Sequence, residues 1–244
     1  MNDFELKNKT ILVTGASSGL GKQCAITISR YGGSLIITGR NEQRLKETLD
    51  LLKGNEHKMI AADLTSEEET ARLAGQLPAL NGVLYSTGIS DLNPARFITK
   101  ETIEKTFRIS FEASVLLTSK LLAGKKLKKN DCSLVFISSI STRYPFVGGA
   151  MYISAKAALE GYARVLALEL APKRIRSNCI APAFVKTPML DDTAENYSEE
   201  AVKKIEEQQL LGLGEPEDVA NTAVFFLSDA SRWITATNLI LGGG

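Results

Sequence analysis

The chain of 244 residues has one tryptophan, one histidine and three cysteines, and its 29 Lys plus Arg nearly cancel its 28 Asp plus Glu. Each scarcity excludes something. A net charge of +1 lacks the strong basic excess of a nucleic-acid binder. No apolar run approaches the roughly 18 residues that span a bilayer. The opening stretch MNDFELKNK has no apolar signal core, so a cytoplasmic protein is expected, with neither nucleic acid nor membrane as a partner. Cys24, Cys132 and Cys179 are odd in number and far apart, which reads as reduced thiols in core positions. The lone His57 precedes the third apolar run and reads as a surface residue, and no His/Cys/Asp/Glu spacing suggests a metal site. Pro, Gly and Ser never gather into a linker and no repeat is visible, so residues 1–244 read as one domain. Hydrophobic residues at 44% and charged residues at 23% exclude disorder. A chain of this length can bury roughly 70–75% of its unfolded surface, enough for a core without staples.

What is present is an alternation. Short runs rich in Ile, Val and Leu fall near 9–14, 34–38, 58–61, 83–86, 133–138, 175–180 and 237–241. Amphipathic stretches near 19–31, 41–53, 66–77, 99–124, 150–171 and 216–228 lie between them. Most of the runs are continuous rather than alternating, as in strands buried on both faces. The pattern predicts an α/β fold: a doubly wound parallel sheet of about seven strands with helices on both faces, Rossmann-type. Ligands then bind at the carboxyl ends of the strands. The segment 186–213 breaks the rhythm beside that edge and is expected to be a substrate lid. The basic run KKLKK at 125–129 reads as a solvated turn.

The first run ends in TGASSGLG, with Gly15, Gly19 and Gly21 between a strand and a helix. In that context Gly15 permits a tight turn, Gly19 lets backbone amides approach a pyrophosphate, and Gly21 lets the helix pack close to the strand. The spacing G-x3-G-x-G resembles the turn of the short-chain dehydrogenase/reductase family. Further marks follow in order: Asp63 in AADL, a Tyr152-x3-Lys156 pair 13 positions after Ser139, IAPAFVKTPM at 180–189, and GEPEDVANTAVFFLSD. The likeness covers residues 6–243 and is closest to single-domain enzymes of the 3-oxoacyl-carrier-protein reductase kind.

The resemblance implies a nicotinamide cofactor, held by Gly15, Ser17, Ser18, Gly19, Leu20, Gly21, Asp63, Leu64, Gly88, Tyr152, Lys156, Pro182, Val185 and Thr187. The second run ends in Thr38-Gly39-Arg40-Asn41, with no acid to bind a ribose diol and repel a 2′-phosphate. Arg40 can offer a forked, always-charged donor to that phosphate, so NADP(H) is expected rather than NAD(H). Tyr152 and Lys156 stand at i and i+4, on one helix face. The family uses this tyrosine as general acid in reduction and general base in oxidation. Its lysine lowers the tyrosine pKa, and its serine, here Ser139, hydrogen-bonds the reacting oxygen; Ser138 is the poorer candidate for that role.

Two departures stand out. The family's NNAG appears as Tyr85-Ser86-Thr87-Gly88, and its helix-four asparagine falls, by ungapped counting from VLLTSK, on Phe111 beside Ser110. A phenyl ring there would interrupt the water relay to the lysine, unless the alignment slips by one and Ser110 partly substitutes. The expected activity is NADP(H)-dependent hydride transfer between a nicotinamide and a carbonyl or secondary alcohol, on a small or carrier-linked substrate. The pocket would be walled by residues near 90–96, 144–149 and 188–211. The two departures keep open a silent NADP(H) sensor or structural subunit. Sugar-nucleotide epimerases share the fold and the Tyr-x3-Lys pair, but their chains are usually longer. Apolar and small residues on more than one face of 99–124 and 150–171 (Ala113, Ser114, Leu117; Ala157, Ala158, Gly161, Ala167) point to a partner helix. The resemblance implies a symmetric homotetramer, since the family pairs these two helices in a dimer contact and adds a second contact through its last helix and strand.

Overall fold

The computed structural model describes residues 3–54, 56–190, 207 and 209–242. Seven strands pair in parallel: β1 Thr10–Thr14, β2 Ser34–Gly39, β3 Lys58–Ala61, β4 Gly82–Tyr85, β5 Cys132–Ile137, β6 Ile175–Pro182 and β7 Asn238–Leu241. Their order is β3-β2-β1-β4-β5-β6-β7. The order reverses between β1 and β4, and the crevice at such a switch point is where doubly wound sheets take their ligands.

The principal helices are α1 Gly19–Arg30, α2 Glu42–Leu49, α3 Glu67–Gln76, α4 Lys100–Phe107, α5 Ala113–Ala123, α6 Ala150–Leu170 and α7 Pro216–Leu227. Alternate strand residues feed two cores, because successive side chains leave opposite faces of a strand. Leu12, Leu134 and Phe136 join α3, α5 and α6 on one face. Ile11, Val13, Val135 and Ile137 join α1, α2 and α7 on the other.

The stretch read as one helix over 99–124 is interrupted. A π turn, Arg108–Glu112, separates α4 from α5. One extra residue per turn shifts the helical phase, and such bulges gather at functional sites. The basic run at 125–129 is more than a solvated turn. Leu127 is buried and bridges to Leu80, while the Lys126 ammonium donates to the carbonyls of Leu77 (2.5 Å) and Gly75 (3.2 Å) at the C-terminal end of α3.

His57 is structural: its Nδ1 accepts from the Leu35 amide at 3.1 Å and its Nε2 lies 2.9 Å from the Lys53 carbonyl. The three cysteines are free and buried, and burial pushes each thiol up to about 12. Among the described residues no helix is long and apolar enough to cross a membrane, and no cluster of His, Cys, Asp and Glu could hold a metal ion.

Candidate active site

At the exit of β1 the backbone leaves no room for side chains. Gly15 adopts φ +65°, and a Cβ on it would stand 2.8 Å from the Ser86 carbonyl oxygen; on Gly21 it would meet the Gly15 carbonyl at 2.3 Å. Both are far inside contact distance, so the turn and the start of α1 can pack this closely only with glycine. Ser18 caps α1 without a side-chain hydrogen bond. The Thr14 hydroxyl accepts from the Ser86 amide and the Thr87 hydroxyl, each at 3.1 Å, which ties the β4 exit to β1. Asn41, next to Arg40, instead caps α2 by accepting from the Arg44 amide at 2.9 Å. Asp63 accepts from the amide and hydroxyl of Thr65 through one carboxylate oxygen, at 2.9 and 2.8 Å.

The other end of the site is made of side chains. β5 ends at Ile137, and Ser139 opens a short 3-10 turn, Ile140–Thr142, accepting from the Ser141 amide at 3.2 Å. Its Oγ also lies 2.7 Å from the Ser141 Oγ. Tyr152, in the first turn of α6, lines the cavity with Ser139. Burial raises the Tyr152 phenol above its ordinary value, and the Ser139 hydroxyl opposes the rise. Lys156 follows one turn later, as i,i+4 spacing requires. Its ammonium donates to the Ile137 carbonyl at 2.8 Å and sits 5.9 Å from the Tyr152 ring centre. Burial pulls the lysine down to about 8, with Cys179 opposing weakly.

One cavity of about 1250 Å³ joins the two ends. Every residue singled out above as a site candidate lines it, from Arg40, Asp63 and Leu64 through the glycine turn and Gly88 to Ser139, Tyr152, Lys156, Pro182, Val185 and Thr187. Ser90, Leu92, Tyr144, Pro145 and Phe146 wall the open end with Pro188, Met189 and Leu190, and Gln209 also lines it. Val147 does not line it and is 91% exposed. Residues 191–206 and 208 of the expected lid, Tyr197 among them, lie outside the described residues.

The departures from the family pattern look different in place. Tyr85 is buried, stacked on Phe136 at 4.3 Å, and its hydroxyl meets Thr118 at 2.7 Å. The expectation for Phe111 is corrected. Its ring packs edge-on against Phe107 and Tyr162, about 6.3 and 6.2 Å away, and does not line the cavity. Ser110 takes the inward place: its Oγ accepts from the Ile89 amide at 3.2 Å. A Cβ on Gly88 would stand 3.6 Å from that Oγ and 3.2 Å from the Lys156 nitrogen. The π turn sets which of the two faces inward, since one extra residue per turn shifts the helical phase at Arg108–Glu112.

Sequence reasoning also missed Ser141 and Phe184, which line the cavity, while Leu213 of the expected lid segment lines it too. None carries a spacing signal; each is brought in by a turn or a loop.

The whole chain can be set beside known proteins. Residues 15–244 match the family described as enoyl-(acyl carrier protein) reductase. The 3-oxoacyl-[acyl-carrier-protein] reductase FabG of Rickettsia felis is 34% identical over 242 residues, covering 99% of this chain and 98% of that one. Human dehydrogenase/reductase SDR family member 4 is 31% identical over 249 residues, covering 98% and 88%. The solved structure of a short-chain type dehydrogenase/reductase from Mycobacterium ulcerans superposes with a TM-score of 0.88 at 28% identity, covering 98% and 90%. With a family model matched over residues 15–244 and relatives more than 30% identical over nearly its whole length, the chain belongs to the short-chain dehydrogenase/reductase family of oxidoreductases.

Proposed function

We propose that the protein is an NADP(H)-dependent reductase or dehydrogenase that interconverts a carbonyl and a secondary alcohol, with Tyr152 as its acid and base. The observation that carries this reading is the meeting of Ser139, Tyr152 and Lys156 in a cavity that continues to Asp63 and Arg40. The lining suits a dinucleotide. The bare backbone at Gly15 and Gly21 admits phosphates, Gly88 leaves room beside Lys156, and Arg40 offers the only charge of its strand end to a 2′-phosphate. Asp63 keeps a second carboxylate oxygen for the adenine amino group. Pro182, Val185 and Thr187 stand where a nicotinamide carboxamide would be oriented.

A bound nicotinamide would supply or take the hydride. The chain manages the proton and the oxygen. In reduction the Ser139 and Tyr152 hydroxyls hydrogen-bond the carbonyl oxygen, and Tyr152 gives it a proton as the carbon gains hydride. In oxidation the phenolate takes that proton back. An ammonium has three donors; Lys156 spends one on Ile137, leaving two for a ribose hydroxyl and for steadying the phenolate. A neighbouring cation and an oxidised nicotinamide both favour the phenolate, against the burial that opposes it.

The open end is lined by Leu92, Phe146, Phe184, Met189, Leu190 and Leu213, which suits an apolar or carrier-linked acyl substrate. The similarity to a 3-oxoacyl-carrier-protein reductase supports the same class. A homotetramer is part of the proposal, on a different footing from the sequence pattern. Ala113, Ser114, Leu117 and Ala167 are buried in the protein's own core, whereas Ile103, Val165 and Leu168 remain 43%, 49% and 75% exposed on α4 and α6. Sedimentation at micromolar concentration should find a tetramer, and a 26.4 kDa monomer contradicts it. The activity is tested by following NADPH oxidation against ketones, 3-oxoacyl thioesters and keto-sugars. Turnover of a carbonyl, with NADH markedly poorer, is the expected result; binding of NADPH without consumption of it defeats the reading.

A further inference from the structure

Glu160 is a buried carboxylate that the chemistry above does not use. It stands on α6 one turn beyond Lys156 and two beyond Tyr152, is 8% exposed, and has no ion-pair partner among the described residues. Burying an unpaired carboxylate is costly unless strong hydrogen bonds replace its water. Here Oε1 accepts from two hydroxyls, Ser138 at 2.5 Å and Thr142 at 2.8 Å. Those two residues bracket the turn that carries Ser139.

We propose that Glu160 is a positioning residue for carbonyl reduction, holding the 138–142 turn so that the Ser139 hydroxyl faces the reacting oxygen. The inference rests on the role given to Ser139 above. The turn is a 3-10 segment of three residues, too short and too poorly bonded to hold its own shape. Its backbone bonds are the Thr142 amide to the Ser139 carbonyl at 3.2 Å and the Arg143 and Tyr144 amides to the Ile140 carbonyl at 2.9 and 3.0 Å. The Ser138 amide ties only the start of the segment to the Ile180 carbonyl of β6, at 2.7 Å. The Thr142 hydroxyl has one proton and two acceptors in reach, the Ser139 carbonyl at 3.0 Å and Glu160 at 2.8 Å. The bond to the ionised group is the stronger, so the proton ties the turn to α6 rather than to itself.

Tyr152 and Lys156 are on that same helix. Through Glu160 all three reacting groups share one rigid frame. Within it the hydrogen bonds of Ser139 are nearly determined. A hydroxyl has one proton and two lone pairs; the Ser141 amide fills one lone pair, and the Ser141 hydroxyl at 2.7 Å can fill the other. The Ser139 proton is then left to point toward the Tyr152 oxygen and, with substrate present, toward the carbonyl.

Glu160→Leu removes both anchors, whereas Glu160→Gln keeps a side-chain oxygen in the same place. In Glu160→Leu, kcat for a carbonyl that the unmodified protein reduces should fall about tenfold, as for a misplaced reacting group, while KM for NADPH stays within about twofold. Glu160→Gln should keep kcat within about threefold of the unmodified protein, since a neutral acceptor replaces a charged one. Amide hydrogen exchange over 138–144, measured without substrate, should be faster in Glu160→Leu than in the other two proteins.

Unchanged kcat and exchange in a folded Glu160→Leu overturn the inference. So does a parallel loss of cofactor binding, which would make Glu160 a general support, and so does a Gln variant as impaired as the Leu variant. Should Glu160→Leu fail to fold, Thr142→Val carries the test: faster exchange and a kcat lower by about threefold support the inference, and values equal to the unmodified protein overturn it. If the unmodified protein reduces no carbonyl, the functional reading fails by itself, and the exchange comparison still decides whether Glu160 holds the turn.

Discussion

At the proposed nucleotide end of the cavity Gly15, Gly19 and Gly21 bare the backbone of the β1–α1 turn, whereas at the proposed reacting end Ser139, Tyr152 and Lys156 converge as side chains from separate elements, with Ser110 behind the lining beside Gly88. The first arrangement is local: a strand exit and a helix start, adjacent in sequence, set it together. The second depends on β5, the π turn and α6 all being in place. Their sensitivities to substitution therefore differ. A single side chain at the reacting end can stop chemistry without disturbing binding, while a single contact at the nucleotide end changes affinity and cofactor choice.

Tyr152→Phe is the sharpest way to draw that line. Turnover should fall by roughly 10²–10⁴-fold, the usual worth of a positioned acid or base, with NADPH affinity almost unchanged. Near-normal steady-state rates in that variant would remove Tyr152 from its role. The pH profile follows from the two shifts. Tyr152 is raised, so it stays protonated through neutral pH, as an acid for reduction must. Lys156 is lowered to about 8, so reduction should decline as pH passes through about 8 and the lysine loses its charge. Oxidation needs the phenolate and should improve toward alkaline pH.

The second test sets function against stability at the same end. Lys156 is protonated in the unfolded chain up to its ordinary value of 10.5 but only to about 8 when folded. Between those values the unfolded state holds the extra proton, so this group's contribution to stability rises with pH across that window. Below about 8 the folded protein carries a buried charge at a constant cost. Lys156→Met removes it. Turnover should drop by at least about 10²-fold, while Tm at pH 7 rises by about 5 °C, because replacing a buried charge with an apolar group is often stabilising. A calorimetric scan showing a lower Tm would mean that the bond to the Ile137 carbonyl outweighs the desolvation.

At the nucleotide end the expected change is smaller and falls on affinity. Arg40→Ala should erase most of the preference for NADPH over NADH, about 1.5–3 kcal/mol for one charge-assisted phosphate contact. Titration of both cofactors, read by fluorescence, checks it. Equal affinities in the unmodified protein would remove Arg40 from the site.

The same contrast sets how much could be read from the sequence. The seven apolar runs and the glycine turn were legible because each is a local pattern. Strand burial writes itself as β-branched runs, and a tight βα turn requires glycine where a Cβ would collide. Tyr152 and Lys156 were legible as a helical i,i+4 pair. Ser110 was legible only as the alternative to Phe111, because a π turn carries no composition signal and an ungapped count cannot tell which of two adjacent residues it turns inward. Ser141 and Glu160 were invisible for another reason. Their importance lies in hydrogen bonds across a turn and to another element, and serine and glutamate are too common for position alone to mark them. Residues 191–206 and 208 of the expected lid segment lie outside the described residues, and of the rest Pro188, Met189, Leu190, Gln209 and Leu213 line the cavity.

The smallest effect separates two adjacent residues, Ser110 and Phe111. If Phe111 bordered Lys156, Phe111→Asn would return a polar group to the relay and move the pH optimum of oxidation downward. The structure places that ring among Phe107 and Tyr162 instead. Phe111→Asn should therefore lower stability by about 2–4 kcal/mol, through lost apolar burial and a poorly paired amide, and leave the pH profile where it was. Ser110→Ala should do the reverse in kind. It leaves the Ile89 amide without its acceptor, and that amide lies directly after Gly88, beside the lysine. An unsatisfied buried donor costs about 1–3 kcal/mol, and loosening the backbone next to Lys156 should reduce turnover by about threefold to tenfold. Thermal melts and pH–rate profiles of the two variants, run side by side, distinguish the assignments. A shifted optimum in Phe111→Asn with none of these changes in Ser110→Ala would return the relay to residue 111.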